Sequence, residues 1–400
     1  MKLNCSTAEP SNNRMKGKRI PADGSVNDTL RSVLASLLKT EDVKAVMAQS
    51  RIPSKESFAL LLIQDPKLLE AATPLAPVMP VQAARALQSL GRGNGLPRIL
   101  CALRACEARA AVELAKRKQV NLENVLLLTI DCPGAFPTRD YIKAPEEFDR
   151  RFEEVLKGKK DDGLRPDCKS CVGFSSKEVA SDIHIGLLRS GEVAIVHKSD
   201  RGESLLAAAG LAADEDVSDW EAAAETEAKA RAETRDKAFL DMKGKAAGAD
   251  GLDKLFADCV NCHNCMRVCP ICYCRQCYFD SGDSVRLRAE DYIARAKNRG
   301  GIRFPGEMMQ FHLGRMYHMA LSCVACGACE DACPVDVPVS RVFAFVGARI
   351  QKDFDYVPGR SREEAMPMTT FEEDELHEFE DASCCSTVQQ LNSSTSSEAK

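Results

Sequence analysis

The sequence predicts an α/β region followed by a smaller, cysteine-rich α+β region with helical insertions. Two observations lead there. Strand-sized apolar runs alternate with helical patterns over residues 27–200, and 11 of the chain's 19 cysteines fall between Cys259 and Cys333. The length, 400 residues, leaves room for two or three domains, and 44% hydrophobic with 28% charged residues is ordinary for a globular chain. A formal net charge of −5 gives no reason to expect nucleic acid as a partner. No apolar run approaches the roughly 20 residues of a membrane helix. The polar, basic start does not read as a secretory signal. Cysteines packed into one segment of such a chain point to metal or redox chemistry in a reducing, cytoplasmic setting rather than to a disulfide scaffold.

Taken in order, residues 1–26 read as a flexible arm, with few apolar residues to offset the entropy of ordering. Over 25–50 the pattern is helical, with Leu30, Val33, Leu34, Leu37 and Leu38 recurring at threes and fours. The run 58–63, between Pro53 and Pro66, reads as a buried strand. A short helix over 83–90 stops at the glycines of 91–95. Strands are expected at 98–103, 125–130 and 193–197, and a helix at 107–118, which together make an α/β domain over 27–200. Residues 201–250 turn to Ala, Glu, Lys and Asp; 222–240 holds strong helix formers without an apolar stripe, a solvated helical connector. The cysteine-rich domain spans 251–345. The rest, 346–400, reads as a partner-docking tail. Its stretch 363–381 has nine acids and no Lys or Arg, with Phe371, Leu376 and Phe379 as anchors, and its Ser-rich end is expected to be disordered.

The cysteine region repeats itself. Cys259-Val-Asn-Cys262-His-Asn-Cys265-Met-Arg-Val-Cys269-Pro270 aligns with Cys323-Val-Ala-Cys326-Gly-Ala-Cys329-Glu-Asp-Ala-Cys333-Pro334. Each is C-x₂-C-x₂-C-x₃-C-P, the bacterial ferredoxin spacing, in which the fourth cysteine of one motif serves the cluster of the other. One [4Fe–4S] cluster is therefore expected on Cys259, Cys262, Cys265 and Cys333, and a second on Cys323, Cys326, Cys329 and Cys269. Zinc sites pair two knuckles and need only four ligands, which this doubled pattern exceeds. Cys272, Cys274 and Cys277 follow the first motif; they read as buried thiols beside the clusters, as ligands of a further metal with a distant fourth ligand, or as the source of a substitute for one ferredoxin ligand. The helix expected at 306–321 carries a methionine stripe, and its His312 and His318 read as structural. Cys384 and Cys385 sit in the polar tail and do not read as ligands.

Four more cysteines form a possible set. Cys106 and Cys132 each follow a strand, where α/β folds place ligands, and Cys168 with Cys171 is a C-x₂-C knuckle. They read either as the ligands of one more cluster or as separate buried thiols.

The segments Leu103-Arg-Ala-Cys-Glu107, Leu128-Thr-Ile-Asp-Cys-Pro-Gly134, Cys168-Lys-Ser-Cys-Val-Gly-Phe174 and Ala180-Ser-Asp-Ile-His-Ile-Gly186 occur in this order, and Asp355-Tyr-Val-Pro-Gly-Arg-Ser361 closes the series. In this the chain resembles the beta subunits of coenzyme F420-reducing hydrogenases and formate dehydrogenases. It departs from their pattern at Ala105, where a proline is usual, at Gly173, where an aspartate is usual, and in carrying the dicluster module after the α/β domain. The resemblance implies FAD in the α/β domain, beside a third [4Fe–4S] cluster on Cys106, Cys132, Cys168 and Cys171. It also implies a two-electron carrier, F420 or another, and a catalytic formate dehydrogenase or hydrogenase subunit as partner, since no formate or hydrogen centre is seen in this chain. The alternative is a flavin-free, ferredoxin-like relay wiring a catalytic subunit to a heterodisulfide-reductase-type or other redox partner. A cysteine-rich zinc module is the third reading.

Overall fold

Eight strands make one mixed sheet, in the order β3-β2-β4-β5-β6-β7-β1-β8. The structure, a computed structural model, describes residues 15–22, 24–90, 97–188, 191–212, 214–274, 277, 279 and 307–370. The strands are β1 (Lys16–Pro21), β2 (Ala45–Arg51), β3 (Phe58–Ile63), β4 (Ile99–Arg104), β5 (Val125–Ile130), β6 (Ile183–Leu187), β7 (Glu192–His197) and β8 (Glu215–Asp216). β2, β4, β5 and β6 run parallel, with the antiparallel strands outside them. Pleating sorts the side chains of the central strands. Leu100, Ala102, Leu126 and Leu128 face a layer made by α1 (Val26–Leu38), α4 (Thr138–Lys143), α5 (Pro145–Leu156) and α7 (Asp200–Ala208). Ile99, Cys101, Leu103 and Leu127 face α2 (Ala83–Leu90), α3 (Ala105–Lys116) and the cysteine-rich layer.

That second layer contains α6 (Pro166–Lys169), α8 (Ser218–Lys245), α9 (Gly248–Phe256), α10 (Asn264–Val268), α11 (Glu307–Met319), α12 (Ala328–Asp331) and α13 (Val339–Asp353). Phe311, Met316, Met319, Val337 and Phe343 share one hydrophobic cluster with the face of β4 and β5. Residues up to Arg362 therefore form one compact unit, and the boundary expected near residue 250 is a change of layer within one body. The α+β character expected of this layer is not seen among the described residues, where every regular element after residue 218 is helical. From Glu363 the chain is a separate unit, described as far as a 3-10 turn at Pro367–Thr369. Most of the acidic stretch, the tail aromatics and Cys384–Cys385 lie outside the described residues, as do the glycines of 91–95.

Several elements differ from the sequence reading. Within the expected arm, β1 pairs antiparallel with β7 and β8, because pairing with a strand already in the sheet supplies order that local composition does not. The helical pattern of 25–50 is two elements. Ser25 caps α1, its side chain accepting from Asn27 N at 3.1 Å, and after Leu38 the chain turns into the buried strand β2. β3 is the outermost strand of the sheet, and its Leu61 and Leu62 are exposed. The tail expected from residue 346 belongs to the fold as far as Arg362. Tyr356 is buried and donates to Glu113 Oε1 at 2.6 Å, Gly359 N donates to the same oxygen at 3.0 Å, and Arg362 pairs with Asp182 at 2.9 Å.

The connector is one 28-residue helix, α8, with only Trp220 and Met242 buried. It is nonetheless anchored. Trp220 lies on Gly186 of β6, stacks on His184 and donates from Nε1 to the buried Asp131 at 2.7 Å. Asp131 also accepts from Leu187 N and contacts His184 Nε2 at 3.1 Å. Burial alone would raise its pKa, but hydrogen bonds to His184, Ser175 and Trp220 hold it below the usual carboxylate range.

A Cβ at residue 186 would overlap the indole. Gly186→Ala is therefore expected to destabilise the chain by about 1–3 kcal/mol and to shift the emission of its single tryptophan to the red. Denaturant unfolding followed by that fluorescence checks it; an unchanged midpoint and spectrum contradict the packing described.

Candidate metal centre

The two motifs adopt the same unusual backbone. Left-handed φ values fall at Asn261 and His263 in the first and at Ala325 and Gly327 in the second, the second and fourth positions after the opening cysteine in both. A side-chain-bearing residue in this region costs roughly 1–2 kcal/mol, so three of these four positions are held by their surroundings. The reward is a curled loop whose N–H groups point at sulfur. Asn261 N donates to Cys259 Sγ at 3.4 Å, and Ala325 N makes the equivalent bond to Cys323. Each loop runs into a short helix. α10 carries Cys265 and then releases Cys269; α12 carries Cys329 and then releases Cys333. The two helices pack on each other, which is how each fourth cysteine reaches the other motif.

Three groups of thiols result. Cys259 and Cys265 interact electrostatically with Cys262 and Cys333. Cys323, Cys326 and Cys329 all interact with Cys269. Cys106 and Cys168 both interact with Cys132 and Cys171, and Cys106 also feels Cys326 of the second group. The structure thus brings together the twelve cysteines expected to act in fours, with the second group adjoining the third. Of these twelve only Cys262 is exposed.

The donors suit an anionic metal cluster. Burial pushes the Cys265 and Cys323 thiols up to about 11 and Cys168 to about 12, so iron must displace protons to bind there. Buried cations stand ready for the negative charge this leaves. Arg104, 2% exposed, donates to Cys132 Sγ at 3.0 Å and Gly134 O at 2.9 Å. Arg315, also 2% exposed, donates to Cys265 Sγ at 3.0 Å. Arg231 of α8 reaches Cys132 O at 3.3 Å and Cys168 O at 3.4 Å, its guanidinium 4.1 Å above the Phe174 ring. A tetrahedral zinc would draw its thiolates to about 3.8 Å of one another. Among the described residues no three ligating side chains converge closely enough for a single ion; a cube of four irons spaces its thiolates more widely.

An ionic joint fixes the third group to the other two. Arg165, beside the knuckle, pairs with Asp331 of α12 at 2.6 Å, both largely buried. Asp331 also accepts from Thr138 N at 2.9 Å and Thr138 Oγ1 at 2.7 Å. Asp167 accepts from Ser340 Oγ at 2.7 Å and lies against Gly327, where a Cβ would crowd it. Burial and the neighbouring Glu330 raise its carboxyl to about 6.

The remaining thiols separate. Cys272 lies 2.8 Å from Met319 Sδ and donates to Cys269, which lowers the pKa of the Cys269 thiol; Cys277 lies 3.8 Å from Met266 Sδ; Cys274 is exposed. His312, read as structural, contacts Cys259 Sγ at 3.3 Å through Nε2 and stacks on Phe256. Burial and then Arg315 lower its pKa to about 3, so it is neutral. The sequence reading also passed over Arg104, Arg231 and Arg315. The available signal was a charge set in an apolar run, as Arg315 is among Phe311, Met316 and Met319.

This defines an iron–sulfur protein, and residues 255–337 match the model of a 4Fe–4S dicluster domain. Beyond that domain, the chain is 26% identical over 294 residues to the F420-dependent formate dehydrogenase subunit beta of Methanocaldococcus jannaschii, covering 64% of this chain and 72% of the relative. It is 28% identical over 297 residues to the F420-dependent formate dehydrogenase 1 subunit beta of Methanococcus maripaludis, covering 66% and 73%. The sulfhydrogenase 2 subunit beta of Pyrococcus furiosus is 27% identical over 132 residues, 28% of this chain and 40% of that one. The chain is similar to these beta subunits, as its cysteine-bearing segments indicated.

Removing Asp331 leaves Arg165 buried without its carboxylate. Asp331→Ala is expected to cost about 3–5 kcal/mol. Thermal or denaturant unfolding measures it, and a loss below about 1 kcal/mol would show that the joint is not what holds the layers.

Proposed function

We propose that this chain is the electron-transfer beta-type subunit of a formate dehydrogenase or hydrogenase complex. The observation that carries the reading is the succession of three thiol groups, from the exposed Cys262 to the strand ends at Cys106 and Cys132. In it Cys259, Cys262, Cys265 and Cys333 hold one [4Fe–4S] cluster. Cys323, Cys326, Cys329 and Cys269 hold the second, and Cys106, Cys132, Cys168 and Cys171 a third. When bound, the clusters supply one-electron storage, and FAD supplies the exchange between a hydride and single electrons. The chain's own part is to hold the carriers in sequence, exclude water and compensate charge.

The flavin reading is supported by a recess beside the thiols, of a size for a ring system and not for a whole dinucleotide. A cavity of about 280 Å³ touches Cys171 and Cys323 and is walled by Arg109, Arg235, Phe239 and Tyr356. Arg109 is fixed by a bond from Nε to Pro358 O at 2.8 Å. Gly173 keeps the space beside the Arg109 guanidinium clear, since a Cβ there would meet Nη1. The carrier is F420 or a comparable hydride carrier, the relatives at 26–28% identity being named F420-dependent. The partner is a catalytic formate dehydrogenase or hydrogenase subunit, facing the Cys262 end, where Val260 is also exposed. Among the described residues no helix is long and apolar enough to cross a membrane. The setting we propose is the cytoplasm, and the acidic tail we propose as a docking segment for the partner.

Anaerobic iron and sulfide analysis with acid release of flavin tests the whole reading. The expected values are about 12 Fe per chain and close to one FAD. A settled value of about 8 Fe removes the third cluster. An iron-replete, active complex without flavin leaves the relay reading, in which the chain only wires a catalytic subunit to another redox partner.

A further inference from the structure

Arg315 stands between the first two thiol groups. It projects from α11, is 2% exposed, and lies over the rings of Phe343 at 5.0 Å and Phe311 at 5.4 Å. Its two terminal nitrogens donate to Cys265 Sγ at 3.0 Å and Cys265 O at 3.2 Å, and Nε has no partner. Among the described residues it has no carboxylate within ion-pair distance. An isolated guanidinium buried this way is strongly disfavoured unless negative charge lies near it. The negative charge available to it is sulfur from both groups: Cys265 of the first, then Cys269 and Cys329 of the second, with Cys272 beside them.

We propose that Arg315 is the shared counter-ion of the two ferredoxin-type clusters, and that it allows both to be reduced at once. This rests on the cluster assignment above. A cubane with four thiolates is net negative, and each electron added makes it more so. Two neighbouring cubes therefore resist being reduced together. A fixed cation between them lowers the energy of each reduced state and most of all the state with both reduced. A hydride delivers two electrons, so a pair of cubes able to hold one each can clear a whole hydride equivalent. With clusters bound, the two electrons would go one to each cube, and the proton the hydride leaves behind would be released to solvent. The guanidinium keeps its protons throughout, because its pKa lies far above any working pH. The two cubes are not treated alike. The first receives both charge and a hydrogen bond to its ligand Cys265, while the second receives charge alone. Donors to ligand sulfur raise a cluster's potential in their own right.

The test is a redox titration of the anaerobically purified full chain, followed by low-temperature EPR with iron determined in the same samples. A Cys326→Ser background identifies which signal belongs to the second cube. Arg315→Gln is expected to retain iron and to lower both potentials, the first more than the second. At a fixed reductant poise the doubly reduced, spin-coupled fraction should fall by about tenfold, or about 59 mV for a one-electron couple. Arg315→Lys keeps the charge and loses the forked hydrogen bonds, so the first potential should fall and the second stay. The Lys variant also decides the matter if the Gln variant fails to load iron. Unchanged potentials in iron-replete Arg315→Gln, or an equal fall of both in Arg315→Lys, overturn the proposal while leaving the cluster assignment intact. A wild-type chain without iron overturns the assignment instead.

Discussion

Buried negative charge is the constraint around which this molecule is built. Twelve thiols are gathered in three groups, only Cys262 among them exposed, and burial makes Cys106, Cys168, Cys323 and Cys329 poor acids. Holding an iron cluster requires them to be thiolates. The fold answers with guanidinium groups placed inside rather than on the surface. Arg104 serves Cys132, Arg315 serves Cys265, and Arg165 and Arg231 flank the knuckle. Each depends on elements far apart in the chain. Arg104 ends a strand, Arg231 sits midway along α8, and Arg315 belongs to the helix before the second motif. Thus the sheet, the long helix and the dicluster layer are tied together by charge as well as by their common apolar core.

The same requirement explains why the domain boundary disappears. A ferredoxin-type module attached by a free linker would leave its clusters at an undefined distance from the strand ends. Here the linker is a helix pinned at Trp220, Arg231 and Met242, and the Arg165–Asp331 pair closes the other side. The segment around Tyr356 crosses back to lie on Glu113 of α3, completing the wrap. Electron transfer between fixed carriers needs no domain motion, and this packing leaves none of the twelve cysteines on a separate body.

The local chemistry was legible in the sequence, and the long-range chemistry was not. The two cysteine motifs could be read because their ligand spacing is set within a dozen residues, and the thiols at 106 and 132 because strands announce their own ends. β1 escaped because its run holds one large apolar residue, Ile20, and its order comes from pairing with β7. β2 escaped because Ala-Val-Met-Ala follows the helix without a glycine or proline to mark the change. The exposed β3 leucines misled for the reverse reason: a continuous apolar run cannot say whether a strand is central or at the edge. Tyr356, Arg104 and Arg315 look like surface residues in composition. Their partners are assembled only by the fold, so no window along the chain contains them.

One asymmetry carries a consequence for the handling of the protein. Cys262 is exposed, Cys265 and Cys333 of the same group are buried, and the cysteines of the second and third groups are all half-buried. Dissolved oxygen therefore meets the first group at that corner before it meets any other. If the groups hold iron as proposed, damage in air should begin at that corner. A sample oxidised at that corner alone would keep most of its colour, and all of its fold around Trp220.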